Sequence, residues 1–179
     1  MQQTLLALAA VFSFSLYALG RHQTDNGVER RAVAAEVERA AGELAETRMA
    51  ELLDQAWDEA TAHDEAALLL TPPPSTLGPD PGETPATYDD LDDFRTPGGL
   101  AGTPTTRPFA IASGHLAFHV WVDVVFVKGT VGGGGGHVVE SLAPTLAKEV
   151  RVRVREANGP PGRPPAEATL RRVVTPVRL

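Results

Sequence analysis

Residues 4–20 read TLLALAAVFSFSLYALG, a run without a charge or a proline. As a helix at ~1.5 Å per residue it is ~25 Å long, the short edge of what crosses a hydrocarbon core of ~30 Å. Three readings compete. A cleavable secretory signal has a basic leading region, whereas only Met1, Gln2 and Gln3 precede this run, although Ala18-Leu19-Gly20 has a small-x-small form. A buried core helix suits the length, but the first dozen residues have no polar face. A retained membrane anchor is the preferred reading. Ala9 and Ser13, four apart on one helical face, give the small-xxx-small spacing that lets helices approach in lipid. Phe12, Phe14, Leu16 and Tyr17 supply bulk. The expected assembly surface comprises Leu5, Leu6, Ala9, Phe12, Ser13 and Leu16. Arg21, Arg30 and Arg31 follow the run and nothing basic precedes it, so by this count the positive-inside rule puts the head in the cytoplasm.

Helical periodicity continues past the run. Val33, Val37, Ala40, Ala41, Leu44, Leu52, Leu53 and Ala56 recur at threes and fours, separated by Glu36, Glu38, Glu43, Glu46 and Glu51. The spacing predicts a stalk over residues 28–70, with a bend near Asn26-Gly27 and Trp57 where it meets the head. Pro72-Pro73-Pro74 ends it, because proline removes a donor and restricts the residue before it. Residues 71–108 then lose periodicity and read as a long, acidic, Pro/Gly-rich connection.

Strand signals follow. From His115 to Val127, Leu116, Phe118, Val120, Val122, Val124 and Phe126 hold one face at a period of two. Glu149 to Arg155 alternates valine inward with arginine outward, and Leu170 to Val177 is a less regular third strand. Gly159-Pro160-Pro161-Gly162 turns between the last two. The expectation is an α+β protein: a helix of residues 1–27 for membrane insertion or a filament core, an amphipathic stalk of 28–70, a loop of 71–108, and an antiparallel head of about three strands at 109–179.

Composition narrows the functions. The 179 residues suit one domain with an appendage, and the absence of cysteine excludes disulfides, zinc–thiolate sites and thiol enzymes. Net charge is −7, divided as −7 over residues 1–70, −4 over 71–108 and +4 over 109–179. An acidic stalk and a mildly basic head suit a salt-sensitive contact between copies, or are simply two solvated surfaces. The acidic total, with no basic aromatic-bearing motif, argues against nucleic acid as a partner.

The order of anchor, stalk, acidic loop and small sheet resembles the type IV pilin and pseudopilin group, most closely minor pilins of the mannose-sensitive haemagglutinin type. Three strings carry the likeness: Tyr88-Asp89-Asp90-Leu91-Asp92-Asp93-Phe94, the strand through Trp121-Val122-Asp123, and Lys148-Glu149-Val150-Arg151-Val152 with Leu170-Arg171-Arg172-Val173-Val174-Thr175. The family has a glutamate at the fifth mature position; this chain has Leu5 and no acid before Asp25, and His22 stands where proline commonly bends the family's helix. The resemblance implies a non-enzymatic subunit of the bacterial cell envelope. Such a subunit is a single-pass membrane protein before assembly and part of an extracellular or periplasmic filament afterwards. Its partners would be further copies or related pilin-like subunits, joined through their amino-terminal helices. The alternative is a membrane-anchored monomer whose head binds a partner or carbohydrate.

Clusters that could carry chemistry are few. Asp89, Asp90, Asp92 and Asp93 could supply oxygens to Ca²⁺, although the spacing lacks the glycine and distal glutamate of an EF-hand. The other reading is a short helical turn pinned by Tyr88 and Phe94, its acids solvated or capping. On a strand, His115 and His119 share a face but lie ~13 Å apart, too far to share an ion. Gly132 to Gly136 lacks the Gly-Lys-Ser/Thr ending of a phosphate cradle and reads as a flexible hairpin excursion. No catalytic site, and no cofactor beyond that Ca²⁺, is expected.

Overall fold

The structure is a computed structural model, and it describes residues 2–57, 77–111, 114–132 and 135–175, without the side chains of residues 2, 4–7, 130–132 and 135–136. Helix α1 spans Gln2–Leu53. Five strands follow: β1 (Thr105–Ile111), β2 (Gly114–Gly132), β3 (Gly135–Glu140), β4 (Lys148–Glu156) and β5 (Glu167–Val174). All pairings are antiparallel, in the order β1-β2-β4-β5, with β3 paired to the far end of β2. The fold is α+β, a long amino-terminal helix on an antiparallel sheet.

Three sequence expectations need correction. α1 runs unbroken through Asn26 and Gly27, because one helical glycine costs only about 1 kcal/mol and the surrounding hydrogen bonds outweigh it. The helix also ends at Leu53 rather than near residue 70; beyond it a turn at Asp54 and Gln55 brings Ala56 into a parallel bridge with Asp90. Residues 58–70, expected as stalk, lie outside the described residues. Finally, among the described residues the sheet has five strands, where about three were expected. β1 begins at Thr105, inside the connection expected over residues 71–108; on an edge strand the missing N–H of Pro108 faces outward at no cost to pairing. β3 hides behind the glycine run, where the chain turns back with Gly132 opposite Gly135.

The core lies between one face of the sheet and the last third of the helix. Phe118, Val120 and Val124 of β2 and Val150, Val152 and Val154 of β4 meet Val37, Ala40, Ala41, Ala45, Met49 and Leu52. Three of those helical residues are alanines, so the helix axis can approach the valine ladder closely. Each buried valine contributes about 1.5–3 kcal/mol relative to exposure.

β2 is long enough to take several neighbours along one edge. Successive peptide groups of a strand point to alternate edges. The even-numbered carbonyls of β2 look away from β4. Val120 accepts from the Thr105 hydroxyl at 3.2 Å, Val122 from the Thr96 hydroxyl at 2.7 Å, Val124 from Arg95 Nη1 at 3.4 Å, and Phe126 from the Ser141 N–H at 2.8 Å. That edge is therefore shared in turn by β1, the Arg95–Thr96 segment and β3. Asp123 secures the middle share, accepting the Thr96 N–H at 3.3 Å and Arg95 Nη1 at 3.4 Å. Gly99 makes this possible: at φ +59 it is left-handed, and a Cβ there would stand 3.2 Å from Asp123 Oδ2.

Because the helix–sheet seam has no spare room at its alanines, Ala45→Leu should cost about 1–3 kcal/mol through overpacking. Chemical denaturation of the two proteins measures it; an unchanged midpoint would mean that the seam is loosely packed.

Candidate functional site

Two regions carry exposed or unusual chemistry. The first is the free part of α1. Over residues 8–33 the described side chains are almost all exposed, whereas from Val37 onward the helix buries one face. Large apolar groups stand in solvent: Leu8 at 73 %, Phe14 at 70 % and Phe12 at 65 % exposure, with Val11, Leu16, Tyr17, Leu19, Val28 and Val33 also exposed. Of the expected assembly residues, Ala9, Phe12, Ser13 and Leu16 are exposed, while the side chains of Leu5 and Leu6 lie outside the described residues. Ser15 and Thr24 fold their hydroxyls back onto Val11 and Gly20 carbonyls at 2.8 and 3.0 Å, which hides those polar groups within the helix. Among the described residues no helix is long and apolar enough to cross a membrane.

The second region is the carboxylate turn at 89–93, closed by a short 3₁₀ turn at Asp92–Phe94. Its acids divide into two sets. Asp90 faces inward, its Oδ1 accepting the N–H groups of Asp92 at 2.8 Å and Asp93 at 3.3 Å. Asp92 is also buried and reaches Lys148 Nζ at 3.3 Å. Asp93 Oδ2 accepts the N–H groups of Asp89 at 3.2 Å and Asp90 at 3.3 Å. Asp89, the exposed member, comes together with Asp93 and Glu83, one carboxylate oxygen of each within 4.8 Å of the others. Of the four aspartates proposed for Ca²⁺, two thus share a cluster with Glu83, and the other two serve the turn and Lys148. Tyr88 and Phe94 do bracket the turn, edge to face at 5.1 Å, with Arg48 stacked over Phe94.

These placements shift the carboxyl groups. Burial, then the Asp92 and Asp93 carboxylates, push Asp90 up to about 8, against the pull of the Asp92 N–H. Glu83 is drawn down by the Asp80 N–H but raised overall, because its carboxyl shares a hydrogen bond with Asp93. Burial raises Asp123 despite Arg95, the Thr96 N–H and Arg151.

Lys148 is the residue that the strand pattern alone did not single out. It is 0 % exposed, donates to the Trp57 carbonyl and Asp92, and lies 4.1 Å from the centre of the Trp57 ring. The signal was present: Val150, Val152 and Val154 point inward, so the same parity carries Lys148 into the core. His115 and His119 lie on β2, and His119 Nδ1 is 3.2 Å from the Thr106 hydroxyl. On the outer sheet face His119 meets Trp121 edge to face at 5.9 Å, and Arg153 stacks over Trp121 at 5.1 Å.

No family model, curated protein or solved structure matches the chain.

Asp90 makes stability depend on pH. Its folded value, about 8, lies above the ordinary 3.8, so the folded protein holds a proton that the unfolded chain has released. This stabilisation is complete below about 3.8, declines as pH rises, and is gone above about 8. Asp90→Asn keeps the Oδ1 acceptor and cannot ionise, so urea midpoints measured from pH 5 to 9 should fall less steeply in the variant. Parallel curves would contradict the assignment.

Proposed function

We propose that the chain is a structural subunit of a type IV pilus-like filament or secretion pseudopilus, assembled through its amino-terminal helix. One observation carries the reading: the first half of α1 holds large apolar side chains at 54–73 % exposure, with no strand beneath them among the described residues. Each such group gains about 1.5–3 kcal/mol on burial, so a handful can offset the entropy of ordering one helix against another. Further copies of the helix, or related subunits, offer matching apolar surface. Lipid offers it before assembly, which suits a membrane-inserted precursor in the bacterial cell envelope. Ala9 and Ser13 leave a shallow strip alongside Phe12 and Leu16 where a neighbouring backbone can come close. The head then forms the filament's exterior, and the function is mechanical and adhesive rather than catalytic.

A second reading keeps the anchor and drops the filament: a membrane-held monomer whose head binds a partner or carbohydrate. The Trp121 ring on the outer sheet face, flanked by His119 and Arg153, favours it, because sugar rings stack on aromatic faces beside hydrogen-bond donors.

Ala9→Arg separates assembly from folding, since residue 9 lies far from the head. Shearing and electron microscopy should find fibres with the parent chain and none with the variant, whose head keeps its thermal midpoint. Fibres from both would defeat the helix-bundle reading. A parent chain found only as membrane-bound monomer would favour the second.

A further inference from the structure

Lys148 and Asp92 bring together the two halves of an amide. The amine enters from the first residue of β4 and the carboxylate from the 3₁₀ turn, 56 residues apart in sequence. Nζ stands 3.3 Å from Asp92 Oδ1, which sets the amine beside the carboxyl group whose carbon it would attack. Both residues are buried, Lys148 completely, under the Trp57 ring, and the buried Asp90 adjoins Asp92, its Oδ1 accepting the Asp92 N–H at 2.8 Å. Water, the reagent that would hydrolyse an amide, has little access. An ion pair in such a place is also costly to keep as ions, because each charge has lost its hydration.

We propose that Lys148 and Asp92 condense to an isopeptide bond that fastens the start of β4 to the carboxylate turn. Across the 3.3 Å contact the ammonium passes one proton to Asp92, giving a neutral amine and a neutral carboxylic acid. The amine lone pair attacks Cγ of Asp92, forming the N–C bond and a tetrahedral centre. Asp90 relays protons, delivering one to the departing hydroxyl and recovering one from the nitrogen. The C–O bond breaks and one water leaves. No electron donor or acceptor is involved. The new amide keeps one N–H, which continues to donate to the Trp57 carbonyl. Held partners of this kind reach effective concentrations of ~10⁵ M or more, which favours an amide over the separated groups in a site that excludes water.

The proposal is independent of the filament reading, since it concerns the head alone. Full-length protein is purified, digested with trypsin and examined by mass spectrometry. The expected product is a branched peptide joining the segments that contain Asp92 and Lys148, lighter than their sum by one water and uncleaved after Lys148. Two separate linear peptides, with cleavage after Lys148, would overturn the proposal. Lys148→Arg should abolish the branched species. Asp90→Asn, which leaves both reacting groups in place, should slow its appearance at least tenfold in freshly refolded protein; equal rates would remove Asp90 from the reaction. The parent chain alone decides the main question, whichever variants fold.

Discussion

A valine ladder with one helix to cover it is the constraint from which the rest follows. The inward faces of β2 and β4 are valine and phenylalanine, and the cover comes from a stripe of small residues at Ala40, Ala41 and Ala45. That stripe occupies only the end of α1. The helix is far longer than the sheet is wide, so its first half extends beyond the core, apolar and uncovered. A chain with a shorter helix would have satisfied the sheet equally well. The excess is the surface on which the proposed assembly rests.

The head closes around β2 rather than around the helix. One edge of this strand carries β4, and the other is divided among β1, the Arg95–Thr96 segment and β3. Asp123 holds the central share by accepting from backbone and guanidinium donors together. Below it, the carboxylate turn is sewn to the end of the helical region, since the Leu91 N–H donates to the Ala56 carbonyl at 3.0 Å. Lys148 ties that junction to β4. A polar seam so deep is expensive unless every member is partnered, and here the carboxylates accept from backbone N–H groups and from the lysine.

The sequence revealed the helix, the two central strands and the inward parity of their residues, because periodicity is a local signal that burial reinforces. It misplaced what depends on context. Residues 105–108 read as part of the proline-rich connection until β1 is known to be an edge strand, and the glycine run reads as a hairpin excursion without revealing that β3 extends its second arm to Glu140. The helix end was obscured because alanine- and leucine-rich sequence continues past Leu53. In the carboxylate turn the residue types were visible but not their directions. Which aspartates face solvent and which face a lysine 56 or more residues away is a tertiary fact, with no local trace beyond the parity of β4.

The absence of a break at Asn26 and Gly27 has a mechanical consequence. A kinked connection would straighten under load and act as a spring between tip and head. An unbroken α-helix instead behaves as a stiff strut. A pull on its far end therefore passes directly into the alanine–valine seam as sliding stress, shared across many contacts at once instead of peeling them one by one.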